Sequence, residues 1–494
     1  MRHFILLLIG LVAFEAAGQI SGKVIDSSTG DPIPYANIQC GQQGLITNEE
    51  GNFTISESNA DEMPVVISYI GYSPVQTTAG AIRSGHAIKL SPAMFELDEV
   101  KVREMPSAGS IMATVRKNLK QNYAPGERPF ETKIFMRESN AFAPKTFDIE
   151  IDKSTGFSKE SLKSINAELE RYLKRAAASQ AKQYTDVLFK YYGVPKKNTY
   201  KMDVSKATKL VDKKQSVSLD DLQGNAMNLL LKHLDTTKYY RVKSGWFGSH
   251  DTITLRKDFI SNKKDKPSTP LTDLKNKLFH VLTQSSLLSK DFEFIHDYEA
   301  YEYKNEGSVL LPDGNFAYVV SFKPDRSRAK YFGKLYVAEG DFAIIRADYG
   351  LAEGKKAGGL NLKLLLGVKV QENVKTGTMI FRQRPAGDGY YLQYASAEDG
   401  QYLYLNRPLK FIELTDKEKD VVAFDLKIEG NSSHKTEYLN IARNEISDTE
   451  FDAIKENEFK YVHIKQYDAS IWKDDGAIEP LEEMKRYKVT DDVQ

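Results

Sequence analysis

"SGKVIDSSTGDPIPYANIQCGQQGLITNEEGNFTIS", residues 21–56, decides the fold. With Ile20 in front, it places Ile20, Gly22 and Val24 on one side of an extended run and Ser21 and Lys23 on the other, which is strand period. Ser27-Ser28-Thr29-Gly30-Asp31-Pro32 then supplies glycine for positive φ and Asp or Ser for local hydrogen bonds, the chemistry of a tight turn. A second run, 33–38, leads to Gly44-Leu45-Ile46-Thr47. Asn48-Glu49-Glu50-Gly51 separates that from 52–55, and the two read as a hairpin with a glycine-containing loop. "PVVISYIGY", 64–72, is apolar on both faces and reads as a central strand, and 87–90 closes the unit. Short strands with turn residues between them and no helical period predict a small antiparallel sandwich.

What precedes this stretch sets the compartment. Arg2 and His3 give a positive start, residues 4–14 are an apolar run, and Ala16-Ala17-Gly18 places small residues at a cleavage site, so 1–18 reads as a signal peptide and Gln19 as the mature start. The run is shorter than the roughly 20 apolar residues a permanent transmembrane helix needs. No cysteine follows the site to carry a lipid anchor. A retained N-terminal anchor is the competing reading.

A chain of 494 residues has room for several domains, and 41% apolar content supports a core. Lys plus Arg and Asp plus Glu are equal at 68 each, so no net field draws the chain to nucleic acid or to an anionic membrane. Cys40 is the single cysteine, which excludes an internal disulfide and a cysteine metal cluster. The 27 tyrosines and 24 phenylalanines, against 2 tryptophans, suit half-buried strand faces.

The succession "ISGKVIDSSTGDPIPYANI", "GLITNEEGNFTI", "VVISYIGY" and "LDEVKV" resembles the carboxypeptidase-like regulatory domain of many exported Bacteroidetes proteins, over about 19–102. The resemblance implies a transthyretin-like β-sandwich with no active site of its own, often placed ahead of an outer-membrane transporter or another envelope domain. The family name records likeness to an accessory domain of zinc carboxypeptidases and does not imply peptidase activity.

Beyond 102 the pattern changes. Ser107 caps a predicted helix in which Ile111, Met112, Val115 and Leu119 share a face, and Pro125-Gly126 stops it. Two strands are expected at 130–137 and 146–151, then a charged helical stretch over 159–191 with Leu162, Ile165, Leu169, Leu173 and Ala176 in one stripe. A further helix is expected at 220–234 and an exposed loop at 262–270. After 290 alternation dominates: Leu362, Leu364, Leu366, Val368 and Val370 face one way, Val422, Phe424, Leu426 and Ile428 do the same, and 317–322, 334–337 and 342–349 are shorter versions. "SFKPDRSRAKYFGKLYVAEGDFAIIRADY", 321–349, resembles half-barrel envelope proteins of the lipoprotein-carrier type. Together with "KYYRVKSGWFGS", 238–249, it is similar to the region that accompanies the regulatory domain in exported proteins. The expected fold is mainly β with α: a transthyretin-like antiparallel β-sandwich (19–102), a helical connector with first strands (103–280), and a large curved, half-barrel-like antiparallel sheet (281–494).

Catalytic patterns are sparse. His296 and Glu299 in "HDYEA", with His434 downstream, have the spacing of a zinc carboxypeptidase site, and that metallopeptidase is the alternative function. Against it, "DFEFIHDYEAYEYK", 291–304, alternates like a strand, which would put His296 and Glu299 on opposite faces. The regulatory sandwich also comes first here, whereas in the enzymes it follows the catalytic domain. Ser179 and Lys182 spell Ser-x-x-Lys inside a lysine-rich helical stretch. Asp313-Gly314 reads as a hairpin turn, and the Asn52-Phe53-Thr54 sequon begins a strand. A further alternative, an outer-membrane barrel or transporter-associated component, is opposed by the 159–191 helix, by scattered strand lengths and by an ending, "KVTDDVQ", without a closing amphipathic strand. "LDEVKV" resembles the segment before a transporter plug, yet no plug-like region follows.

The expectation is therefore a non-catalytic exported protein at the periplasmic side of the outer membrane. It would have no catalytic, metal or cofactor-binding residues, and a concave apolar sheet face that holds an acyl chain, lipoprotein segment or partner strand. Pure scaffolding, with the sandwich docked on an envelope partner, is the remaining option.

Overall fold

The structure is a computed structural model that describes residues 20–56, 60–93, 105–154, 158–178, 181–211, 239–244, 247–254, 268–363, 367–413, 421–475 and 477–489. The expected signal peptide, the "LDEVKV" segment, the 220–234 helix, Ser179, Leu364 and Leu366 lie outside the described residues.

The first seven strands are β1 (Ile20–Asp26), β2 (Asn37–Cys40), β3 (Gln43–Ile46), β4 (Asn52–Ile55), β5 (Pro64–Ser68), β6 (Val75–Thr78) and β7 (Ile88–Leu90), with the short helix α1 (Ala79–Arg83) before the last. They form the expected sandwich, a three-stranded sheet β4-β1-β7 facing a four-stranded sheet β3-β2-β5-β6. Two details differ from the sequence reading. The β1–β7 pair is parallel, Val24 opposite Ile88. β3 and β4 are not a hairpin, because the chain changes sheets between them. The corner is built by Asn48, whose Oδ1 accepts from the backbone N–H groups of Glu50 and Asn52 at 2.9 Å each, and by Gly51 at φ 75°. A Cβ at Gly51 would lie 2.6 Å from the Val24 carbonyl oxygen, so only glycine fits there.

Helix α2 (Ala108–Tyr123) begins as expected, with the Ser107 hydroxyl accepting from Ser110 N–H, and buries Ile111, Met112, Val115 and Leu119. It is followed by β8 (Phe130–Ser154), one strand of 25 residues in place of the two expected. Helix α3 (Lys159–Ala178) then gives way to β9 (Ala181–Val194), so the helix predicted to run to 191 ends earlier. Pairing with β8 from Phe130 opposite Gly193 to Phe142 opposite Ala181 overrides the local helical pattern. The remaining elements are β10 (Thr199–Val211), β11 (Tyr239–Ser244), β12 (Phe247–Thr254), α4 (Pro270–Gln284), α5 (Glu293–His296), β13 (Tyr301–Leu310), β14 (Phe316–Pro324), β15 (Tyr331–Ala338), β16 (Ile344–Leu351), β17 (Gly358–Leu362), β18 (Val368–Gln383), β19 (Tyr390–Glu413), β20 (Val421–Glu445), α6 (Asp448–Ala453), β21 (Val462–Ile464) and α7 (Glu482–Arg486).

Fourteen strands make one sheet, in the order β13-β14-β15-β16-β18-β19-β20-β8-β9-β10-β21, with β17 on β18, β11 on β19 and β12 on β11. Strands from both sides of residue 280 therefore share a single sheet, joined where β20 pairs with β8, and the expected division into 103–280 and 281–494 cuts through it. Among the described residues the path is open, with β13 and β21 at its ends. The run 362–370 is not one strand, because Leu362 pairs with Val368 across a turn. Residues 291–300 are not strand either. Phe292, Phe294 and Ile295 are all buried, which a one-sided strand does not allow, and Phe294 stacks on Phe322 with centroids 4.3 Å apart.

Register explains the layering. Ala395, Tyr438, Met136 and Val187 lie opposite one another across β19, β20, β8 and β9, and Tyr394, Leu439, Phe135 and Leu188 form the next row. Adjacent rows point to opposite faces. The first row joins a core with α2 (Ile111, Val115) and α4 (Leu274, Leu278), which also contains Val320, Leu335 and Ile344 from the far strands, so the sheet curls around the two helices. The second row joins a core with the sandwich residues Ile38, Leu45, Ile46 and Ile67. The order is helices, sheet, sandwich. The sandwich is docked on its own sheet, and the outer face that a membrane barrel would turn to lipid is covered there. Among the described residues no helix is long and apolar enough to cross a membrane.

A strap from β20 onward closes the assembly. Ser447 and Glu450 form a capping box on α6, β21 adds in parallel to β10, and Trp472 then inserts edge-on against Phe135 with ring centroids 5.4 Å apart. Asp475 accepts from Lys133 at 2.6 Å and pairs with Lys206 at 2.8 Å. Ala477 bridges to Thr54 at the edge of the sandwich. The Asn48 side chain donates to the carbonyl oxygens of Glu479 and Pro480, and the Thr54 hydroxyl donates to the Glu479 carboxylate.

Trp472→Ala removes the wedge between strap, sheet and sandwich and should cost about 3–5 kcal/mol of unfolding free energy in denaturant titration. Burial opposes ionisation of Asp475, but its bonds to Lys133 and Lys206 win and hold its pKa below the ordinary 3.8. A depressed carboxylate stabilises the fold above its unfolded pKa and loses that contribution as pH falls through the folded one. Stability of the native chain should thus drop more steeply below about pH 4 than that of Asp475→Asn.

Candidate functional site

The residues singled out in the sequence are not brought together as a metal centre. His296 ends α5, with Nε2 2.9 Å from the Leu287 carbonyl oxygen. Glu299 follows in an exposed 3-10 turn. His434 stands in β20, with Nδ1 2.7 Å from Asn140 Oδ1 and Nε2 3.0 Å from the Thr436 hydroxyl. Among the described residues no group of three His, Cys, Asp or Glu side chains can hold a metal ion. Lys182 lies in β9, a strand rather than the expected helix, and pairs with Glu483. Asp313-Gly314 is the expected turn between β13 and β14, closed by Leu311 N–H to Asn315 carbonyl at 2.8 Å.

The concave face has an open part beyond the C-terminal end of α4, a cleft of about 710 Å³ bordered by His280 and Gln284. The rows that continue the helix-facing side there are Ala397–Thr436–Glu138 and Asp399–His434–Asn140. The rows under α2 and α4 are apolar, and the open part sets Thr436, Asp399, His434 and Asn140 beside Phe142, Val281, Met379 and Leu403, so the cleft is lined by polar and apolar side chains together.

A second cleft, about 800 Å³, lies where the sandwich meets the sheet. One wall is β2 with the end of β5, contributing Asn37, Ser68 and Tyr69. The other is formed by β16, the end of β18 and the start of β19, contributing Arg346, Arg382 and Gln393. Arg346 is 6% exposed. Its Nε donates to Asp348 at 2.8 Å, and its guanidinium lies 5.0 Å from the Tyr69 ring and 5.8 Å from those of Tyr35 and Tyr336. Burial works against that charge, but Asp348 and the ring of tyrosines hold the guanidinium protonated. Arg382 donates through Nη1 to Gln39 Oε1 at 3.0 Å and through Nη2 to Asn37 Oδ1. Burial lowers its pKa. Gln393 donates to the same Asn37 oxygen at 3.3 Å. On the rim, Asp341 accepts from the Tyr390 hydroxyl at 2.8 Å.

Backbone strain gathers here. Tyr35 at φ 60° lines the cleft and Phe342 at φ 58° follows Asp341, and bulky residues rarely adopt the left-handed region outside sites that demand it. Behind the cleft, Tyr35 donates to Glu49 at 2.9 Å, Glu49 pairs with Lys435 at 2.8 Å, and Lys435 lies 3.6 Å from Glu437. In the next outward row, Arg137 is held by Asp186 through two bonds of 2.8 and 2.7 Å.

Residues 20–102 match the family model of the CarboxypepD_reg-like domain. The match falls on the sandwich, and the sheet that carries the other wall of the cleft lies outside it. No curated protein matches the chain significantly. A crystal structure from Bacteroides fragilis, described as that of a candidate membrane-associated protein of unknown function, aligns over 85% of this chain and 97% of its own at 10% identity, with a TM-score of 0.12. Likeness that slight carries no statement about fold or function.

Of the cleft residues, Asp313-Gly314 stands out in the sequence as a turn, while the wall of Arg346, Arg382 and Gln393 carries no motif. The signal that marks them is an arginine in the middle of an apolar strand, as in "MIFRQ" (379–383) and "AIIRADY" (343–349). Gly44 of β3 permits the close approach: a Cβ there would lie 3.0 Å from Arg382 Nη1 and 3.3 Å from Gln393 Nε2. Gly44→Ala should destabilise by roughly 1–3 kcal/mol through displacement of both groups. Gly109→Ala, in the first turn of α2 with only the Ser107 hydroxyl 4.0 Å away, should be neutral or stabilise by up to about 1 kcal/mol. Denaturant titration of the pair checks the contrast.

Proposed function

We propose that the chain is a non-catalytic binding protein of the cell envelope, exported to the periplasmic side, which holds a small polar ligand in the cleft between regulatory-like sandwich and sheet. The cleft carries the reading. Its volume suits a small molecule, and its walls supply rings, amides and guanidinium groups from two separately folded layers. No histidine, cysteine or lysine lines it among the described residues. Export rests on the signal-peptide pattern of 1–18, and the single cysteine accords with a chain that uses no disulfide. The regulatory-like domain is similar to accessory modules that have no active site of their own. Scaffolding through the sandwich fits less well, because the sandwich's apolar face is already spent on its own sheet.

Protein recovered from the envelope fraction of the producing cell should begin at Gln19 by N-terminal sequencing. Native mass spectrometry should show a bound species below about 1 kDa, as suits a cleft of this class. Gln383→Trp, a substitution at an exposed lining position, should remove that species without lowering the melting temperature. Cytosolic protein that retains Met1, or a mass equal to the bare chain in every preparation, would sink the reading.

A further inference from the structure

The arginines of the large sheet set up a comparison. Arg137, Arg346 and Arg384 are buried, and each has a carboxylate within 2.8 Å: Asp186, Asp348 and Asp388. Among the described residues Arg443 has no such partner, but its guanidinium lies 3.8 Å over the Phe130 ring beside a void of only about 30 Å³. Arg382 also has no carboxylate partner among the described residues, and it shares the lining of the cleft of about 800 Å³ with Arg346, whose charge Asp348 already meets.

Its surroundings hold more donors than acceptors. A guanidinium carries five N–H groups and an amide two. Arg382 and Gln393, the latter 2% exposed, both donate to Asn37 Oδ1, and the Asn37 amide nitrogen donates onward to the Ser68 hydroxyl at 3.3 Å. The other partners of Arg382 among the described residues are neutral as well, the Gln39 oxygen and the Tyr391 hydroxyl. The rim acids do not serve it: Asp313 accepts from Asn315, Glu339 from the Tyr318 hydroxyl, and Asp341 from Tyr390 and Ala343 N–H. A cation in a poorly hydrated place without counter-charge is costly to keep, and an anionic acceptor entering from the cleft relieves both the charge and the donor excess.

We propose that Arg382, assisted by Gln393, is the anion anchor of this cleft and binds the carboxylate or phosphate group of a ligand whose body lies along Tyr69 and Tyr35. The assignment rests on the cleft being the binding site. Nothing covalent is involved. The ligand exchanges its hydration for a charge-assisted pair, and the two tyrosine rings offer it an apolar edge.

Matched fragments test the assignment on the full chain by saturation-transfer NMR at constant ionic strength: benzoate against benzamide, and phenyl phosphate against phenol. In the native chain at least one anion should bind about tenfold or more tighter than its neutral partner, and which anion does so separates carboxylate from phosphate. Arg382→Gln should abolish the preference. Gly44→Ala should weaken it while the charge remains. Arg328→Gln, at an exposed arginine paired with Asp297, should leave it unchanged. Thermal unfolding of each variant shows that it is folded. Equal binding of charged and neutral fragments would overturn the anchor and leave the cleft reading standing. A preference that survives Arg382→Gln would also overturn it, and failure of all four fragments to bind would remove both.

Discussion

Tyr394, Leu439, Phe135 and Leu188, in register across four strands, turn one apolar row of the large sheet toward the sandwich, while the neighbouring row turns toward α2 and α4. Everything else in the structure is arranged around this double-sided burial. A sheet with one covered face has charged or hydroxyl residues on the other. Here the centre has no charged side chain until the following outward row, Ser396, Glu437, Arg137 and Asp186, where Arg137 and Asp186 form a two-bond ion pair and Glu437 lies beside Lys435. Breaking such a pair by removing one partner is far more costly than its net worth in the intact fold. Its placement beside the apolar row fixes the position at which sandwich and strap must meet.

How far this was readable in the sequence follows from which forces are local. The sandwich was legible because each strand is short, one-sided and bounded by turn residues. The parallel partner of β1 was not, since alternation says nothing of strand direction. The double burial of the sheet is written in "KIFMR" (133–137) and "DVLFK" (186–190), where three apolar residues in succession replace alternation. The first run was read as an ordinary strand, and the second was absorbed into a helical stretch rich in Lys and Ala. The 362–370 run misled for the opposite reason. Period two continues through its turn, so only pairing reveals the reversal.

The cleft was illegible for a further reason: its residues come from Asn37, Tyr69, Arg346, Arg382 and Gln393, which no local motif connects. Spacing patterns such as His296-x-x-Glu299 are visible in one dimension and lead nowhere in three, since both nitrogens of the more distant His434 already have neighbours within hydrogen-bonding distance. A binding site assembled between layers has to be found from docking, and docking here depends on the register of strands far apart in the chain.

The strap gives the assembly a temporal order. Asn48, in the sandwich corner, donates to Glu479, 431 positions further along, and the wall beside Phe135 is completed only by Trp472. A polypeptide emerging from its N-terminus can shape the sandwich early, yet that unit must wait with its adhesive side bare until almost everything else has been made. Such a delay leaves an apolar surface uncovered until Trp472 and the strap are in place.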